Sequence, residues 1–155
     1  VDAGALAFLI DKEGLDAAGM SNLINKQSGV AGLSGVSSDM REIEAAVAAG
    51  NPRAIMALNV YNYRIKKYIG AYAAAMGGCD ILVWTGGVGE NQWETRRVVC
   101  QGMEYMGMKI DVEKNHGMRG EEMVISTPDS KVTIIVVPTD EEFMIASDTA
   151  DILMK

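Results

Sequence analysis

Histidine and cysteine are scarce in this sequence, and their scarcity excludes a common class of metal site. His116 is the single histidine, and Cys79 and Cys100 lie in apolar surroundings without Cys-x-x-Cys spacing. A structural zinc site needs about four such ligands, so none can be built. We expect both cysteines to be buried, reduced thiols of a cytosolic protein, with neither a metal nor a disulfide bond.

Long apolar runs and an excess of positive charge are also missing. No apolar run approaches the roughly 20 residues of a membrane-spanning helix, and no signal-peptide pattern opens the chain. The net charge is -7 and the isoelectric point is about 4.7. This balance argues against a nucleic acid or an anionic membrane as the main partner. The densest basic cluster, Arg64, Lys66 and Lys67, is typical of a solvated helix face.

The composition that remains is that of a globular protein. Of 155 residues, 48% are hydrophobic and 23% are charged, which predicts one core and one domain over residues 1–155. Position 1 is Val, and Val1 to Gly4 enter a helical pattern without any lead-in. We therefore expect the chain to be part of a longer protein.

The most informative stretch runs from Asp80 to Asn91. Ile81 to Thr85 is short, apolar and β-favouring, which predicts a buried strand. Three glycines follow almost at once: Gly86, Gly87 and Gly89. A helical pattern then opens at Glu90 or Asn91, so N–H groups and a helix dipole converge as in a phosphate cradle. A tight connection without any ligand is the alternative.

Two better-known phosphate loops are absent from this stretch. A P-loop needs Lys followed by Ser or Thr after its last glycine, and Glu90 and Asn91 stand in that place. A dinucleotide fingerprint needs another glycine three residues after Gly89, where this sequence has Gln92.

The rest of the chain alternates helical and extended patterns. Predicted helices cover 5–14, 15–26, about 41 onward, 52 to the glycines at 77 and 78, 91–106, and 140 onward. Predicted strands cover 81–85, 123–126 and 132–137, with a turn at 127–130 and a loop at 29–38. We expect Asp39 or a preceding serine to cap one helix, and Thr139 to cap the last, whose inward residues are Phe143, Ala146 and Ala150.

The segment from Thr85 to Asn91 resembles the second phosphate and adenosine loop of acetate kinases. Three further segments match that family in the same order, so the resemblance covers essentially the whole chain. They are Asn25-Lys26-Gln27-Ser28-Gly29 with Ser34-Gly35-Val36-Ser37-Ser38-Asp39-Met40-Arg41, Tyr63-Arg64-Ile65-Lys66-Lys67-Tyr68-Ile69-Gly70-Ala71-Tyr72, and Pro138-Thr139-Asp140-Glu141-Glu142. The fold implied is α/β and ribonuclease H-like: a mixed β-sheet flanked by helices, as in the acetate and sugar kinase, heat-shock chaperone and actin superfamily.

The resemblance also implies particular site residues. Residues on one side of the nucleotide would be Asp39, Met40 and Arg41, and on the other side Gly87, Val88, Gly89, Glu90 and Asn91. Glu141 matches the carboxylate that serves Mg²⁺, whereas Asp140 stands where the family commonly has Asn. Without the resemblance, Asp39 is better explained as a helix cap, and the acidic turn at 140–142 as a partner of the helix dipole.

The reaction implied is phosphoryl transfer between ATP and acetate, giving ADP and acetyl phosphate with Mg²⁺. The chain would be the C-terminal two fifths of such an enzyme, and the catalytic Arg and His residues would lie in an N-terminal domain, so the isolated chain would be inactive. A homodimer through the helix from Arg53 to Met76 is expected. Alternatives are a butyrate or propionate kinase, or a non-enzymatic domain that binds nucleotide or serves assembly.

Overall fold

The computed structural model describes residues 1–154 and divides into two compact units. The first unit is Val1–Arg64 and the second begins at Ile65. The boundary falls inside one long helix.

The first unit is built of helices. They are α1 (Ala3–Glu13), α2 (Ala17–Asn22) continued by a π-helical turn (Leu23–Gln27), α3 (Gly29–Ser34), α4 (Met40–Ala48) and the first part of α5 (Pro52–Met76). α1 ends at Gly14, whose φ of 62° is the left-handed conformation that glycine adopts readily. α5 begins as predicted, because the Asn51 side chain accepts hydrogen bonds from the N–H groups of Arg53 and Ala54.

The predicted loop at 29–38 is wrong in its first half, where α3 forms. The guanidinium of Arg53 donates to the carbonyl oxygens of Gly32 and Leu33, each at 3.1 Å. A cation at the C-terminal end of a helix satisfies exposed carbonyl groups and complements the dipole. This partner lies about twenty residues away along the chain, so the local composition gave no sign of it.

The second unit is α/β, as the sequence predicts. Its elements are β1 (Ile81–Trp84), α6 (Gly86–Asn91), α7 (Trp93–Cys100), a 3₁₀ turn (Glu104–Met106), α8 (Val112–Asn115), β2 (Met123–Val124), β3 (Thr133–Val136) and α9 (Glu141–Leu153). In the described residues the sheet has the order β1-β3-β2, with β1 parallel and β2 antiparallel to β3. The turn at 127–130 is confirmed by a hydrogen bond from the Ser130 N–H to the Thr127 carbonyl.

The prediction that the 81–85 strand is buried is wrong. β1 lies at one edge of the sheet in the described residues, and Ile81 and Val83 are 59% and 50% exposed. β3 is the middle strand, and its Ile134 and Val136 are fully buried. A short apolar run does not reveal whether one face or both faces of a strand are covered.

The predicted helix at 91–106 is instead several short elements. α6 already begins at Gly86, Gln92 leaves the helical region with ψ of 77°, and α7 ends at Cys100. Gly102 then has a φ of 76°, which favours glycine and prevents the helix from continuing.

The last helix, α9, differs from the prediction in which residue caps it and in which side chains are buried. Asp140, not Thr139, is the cap, and its Oδ1 accepts from the Phe143 N–H at 3.0 Å. Phe143 is 64% exposed, Ala146 is exposed and Ala150 is half-buried. Within residues 1–154, no helix is both long enough and apolar enough to cross a lipid bilayer.

Candidate functional site

The glycine segment lies at the carboxyl edge of the sheet. Because β1 and β3 are parallel neighbours, their C-terminal ends lie side by side, and the Val137 N–H donates to the Trp84 carbonyl at 2.9 Å. Residues 85–91 leave β1 and residues 137–141 leave β3 at this edge. In open α/β sheets, ligands bind outside the carboxyl ends of strands. The two segments therefore form the candidate site.

The three glycines of the segment differ in whether the structure requires glycine at their position. Gly86 has a φ of 69°, which an L-residue adopts only with strain. Gly89 is buried, and a Cβ there would lie 3.0 Å from the carbonyl carbon of Trp84. Gly87 has neither constraint: its φ is not positive, and a Cβ there would meet no atom within 4 Å. The fold of the described residues therefore does not require glycine at position 87.

The start of α6 keeps part of its backbone available. Among residues 1–154, the N–H groups of Gly87 and Val88 donate to no protein acceptor, as is usual in a first helical turn. The Gly86 N–H, by contrast, donates to Glu90 Oε1 at 2.9 Å. Asn91 Nδ2 donates to the Gly87 carbonyl at 3.0 Å and holds the turn in shape.

Glu90 joins the two segments of the site. Its Oε1 accepts from the Thr139 N–H at 2.8 Å and from the Thr139 hydroxyl at 3.0 Å, in addition to the Gly86 N–H. The Thr139 N–H, the Thr139 hydroxyl and the Gly86 N–H hold the pKa of Glu90 below its ordinary value, the Thr139 N–H most of all. The carboxylate is therefore charged at neutral pH and anchors one segment to the other.

Behind the glycine segment lies a buried arginine that the sequence analysis missed. Arg96 is fully buried, and its guanidinium donates to Asn115 Oδ1 and to the carbonyl oxygens of Gly89, Glu90 and Met118, at 2.6–3.0 Å. Burial lowers the pKa of the guanidinium, although arginine stays protonated in proteins. Two of the four acceptors are carbonyls at the end of α6, so the cation holds the segment in place from inside the unit.

The predicted adenosine residues lie in the first unit, at the start of α4. Asp39 caps that helix by accepting from the Arg41 N–H at 2.9 Å, and the Arg41 guanidinium folds back on the same carboxylate, with Nη2 2.6 Å from Oδ2. These bonds lower the pKa of Asp39 to about 2, the side-chain bond contributing most. The Arg41 side chain is 88% exposed. Asp39 thus has a capping role, and Arg41 is accessible to a ligand.

The predicted magnesium residue, Glu141, is exposed in the first turn of α9. Its neighbour Asp140 is engaged as the helix cap, so Glu141 is the freer carboxylate of the pair. Within the described chain, no cluster of three or more His, Cys, Asp or Glu side chains could hold a metal by itself.

Comparison with known proteins identifies the family. A family model described as the acetokinase family matches residues 1–147. The chain belongs to the acetokinase family. Acetate kinase of Parabacteroides distasonis is 88% identical to it over all 155 residues. This chain spans 39% of that relative's length.

Part of each of two solved kinase structures has the same fold as this chain. The crystal structure of Porphyromonas gingivalis acetate kinase matches with a TM-score of 0.92 and 68% identity, covering 99% of this chain and 38% of that one. A propionate kinase from Francisella tularensis matches with a TM-score of 0.83 and 34% identity, covering 94% and 37%. The α/β fold class is therefore confirmed.

The buried guanidinium of this acetokinase-family chain leads to a stability prediction. Arg96→Met should lower the free energy of unfolding by about 3 kcal/mol, because it leaves several buried acceptors without their donor. Arg97→Met is the matched control, since that side chain makes an exposed bond to Glu94 at 2.9 Å and should cost less than about 1 kcal/mol. Urea unfolding measures both, and equal losses would contradict the role given to Arg96.

Proposed function

We propose that residues 1–155 are the C-terminal, nucleotide-binding domain of an acetate kinase, which transfers a phosphoryl group between ATP and acetate to give ADP and acetyl phosphate. The observation that carries this proposal is Gly87. It is a glycine that the fold does not require, it lies at the carboxyl edge of the sheet, and its N–H donates to no protein acceptor among residues 1–154. A ligand that approaches the backbone closely explains it.

The nucleotide contacts proposed from the family resemblance fall into two groups. One is the segment Gly87, Val88, Gly89, Glu90 and Asn91, where the N–H groups of Gly87 and Val88, free in the described residues, favour an anion such as phosphate and the Glu90 carboxylate supports them through its bonds to Gly86 and Thr139. The other is Asp39, Met40 and Arg41 on the adenosine side. The Arg41 guanidinium is exposed, which supports that role, because it could contact base or ribose once it releases the Asp39 carboxylate.

Glu141 is the residue proposed to serve Mg²⁺. Its carboxylate fits that ion, which prefers oxygen ligands and is usually held by one or two carboxylates together with water and substrate phosphates. The metal neutralises charge on the transferring phosphoryl group when it is bound.

Acetate as the acceptor and a cytosolic location complete the proposal. Cys79 and Cys100 are free thiols, in keeping with a reducing compartment. A propionate kinase function has one observation in its favour, the structural match to the Francisella tularensis protein. The higher identity to acetate kinases favours acetate.

Kinase assays with ATP and a series of short carboxylates test the function. The full-length kinase of which we propose this chain is a part should prefer acetate over propionate and butyrate, whereas the isolated 155-residue chain should give no acetyl phosphate above background. Residues for the acyl substrate would lie outside the chain. A preference for propionate would favour the second function, and turnover by the isolated chain would contradict the proposed division of roles.

A pair of glycine substitutions separates ligand contact from folding. Gly87→Ala should raise KM for ATP about tenfold in the full-length kinase, the equivalent of about 1.4 kcal/mol of lost binding. Its stability should not fall, because alanine suits a helix better than glycine. Gly89→Ala should lower the unfolding midpoint, since its Cβ would crowd the Trp84 backbone. An unchanged KM in Gly87→Ala would contradict the nucleotide role.

We also propose that the chain forms a homodimer through α5. That helix exposes apolar side chains along its length, including Ile55, Met56, Val60, Tyr72 and Met76 at 40–68% exposure. Patches of this kind usually mark an interface, and twofold dimers are the commonest assembly. Sedimentation should show a dimer that Val60→Glu converts to monomer. A wild-type chain that stays monomeric at about 100 µM would exclude an interface even as weak as about -6 kcal/mol.

A further inference from the structure

The carboxylate of Glu90 is used within the protein, although its position in the motif suggests a ligand contact. All three of its hydrogen bonds are accepted by one oxygen, Oε1, from the Gly86 N–H, the Thr139 N–H and the Thr139 hydroxyl. Gly86 begins the glycine segment, and Thr139 lies two residues before Glu141. The side chain therefore spans the gap between the proposed nucleotide segment and the proposed magnesium segment.

We propose that Glu90 is a positioning residue that couples these two segments, so that nucleotide binding and magnesium binding are strengthened or weakened together. This inference rests on the proposed function. It assigns Glu90 an action through Thr139 and Gly86 instead of a direct contact with phosphate or metal.

The main chain at Glu90 is fixed on its other side as well. Its carbonyl oxygen accepts from the Gly120 N–H at 3.2 Å and from Arg96 Nη1 at 3.0 Å. With the backbone of residue 90 fixed to the interior and its carboxylate fixed to Thr139, the position of one segment depends on the position of the other. These bonds form a contiguous network of the kind through which two sites can be coupled.

The chemistry of the connection separates it from a direct ligand role. A hydrogen-bond acceptor at Oε1 is what the three donors require, and the amide oxygen of glutamine can take the same place. A carboxylate that contacts a metal needs its negative charge, which glutamine lacks. Glu90→Gln should therefore retain a positioning role and lose a charge-dependent one.

The test uses steady-state kinetics of the full-length kinase at varied ATP and Mg²⁺. Glu90→Ala should raise both the KM for ATP and the half-saturating Mg²⁺ concentration about tenfold, while kcat changes less than about threefold, because binding is weakened in ground and transition states alike. Glu90→Gln should stay within about threefold of the wild type in both. Glu104→Ala, at an exposed position in the 3₁₀ turn near the opposite end of β3, is the matched control and should change neither.

A second variant tests the connection from the other end. Thr139→Val removes the hydroxyl donor and should raise both constants in the wild type, but should add little to Glu90→Ala, because interacting residues are not additive. Urea midpoints of the variants separate loss of positioning from loss of folding.

Three outcomes would overturn the inference: Glu90→Gln as severe as Glu90→Ala, a rise in one constant without the other, or additive effects of Glu90→Ala and Thr139→Val. A wild-type enzyme whose activity depended on neither ATP nor Mg²⁺ would instead overturn the proposed function.

Discussion

The candidate site depends on a cation that is buried without a carboxylate partner. Burying a guanidinium is costly unless its donors are satisfied, and Arg96 satisfies them with carbonyl and amide oxygens at distances of 2.6–3.0 Å. Because α6 ends at Asn91, the carbonyl groups of Gly89 and Glu90 carry the partial negative charge of a helix C-terminus. The guanidinium therefore fixes the end of α6, and the N–H groups of Gly87 and Val88 at its beginning stay available for the ligand that we propose. A segment held in this way is arranged before any ligand arrives, which reduces the entropy that binding must overcome.

The residues of the glycine segment differ in what the fold requires of them. Gly86 and Gly89 meet constraints of backbone conformation and close packing, whereas Gly87 meets neither. Glu90 and Asn91 are occupied by bonds inside the protein. Most residues of the motif therefore hold the segment in place, and only the N–H groups of Gly87 and Val88 are without a protein acceptor in the described residues.

The elements determined by local patterns were predictable, and those determined by distant partners were not. The left-handed end of α1 at Gly14 and the start of α5 after Asn51 follow from neighbouring residues. α3 and the role of Thr139 depend on side chains that lie far along the chain, so composition alone could not indicate them. Arg96 left one usable sign: it is three and four positions before the buried Val99 and Cys100, and a charge on the apolar face of a helix predicts a buried partner.

The parallel pairing of β1 with β3 has a consequence for how the chain folds. β2 and β3 are joined by a short turn and can pair early, but Ile81 must meet Thr133 across an intervening segment of about fifty residues. Glu90 and Thr139 are 49 positions apart, so their hydrogen bonds also need a long segment of chain to close on itself. Contacts between such distant positions form slowly. The pairing of β1 with β3, which brings the two segments of the candidate site together, should thus form late. In hydrogen-exchange labelling during refolding, amides bonded between β2 and β3 should become protected before amides bonded between β1 and β3.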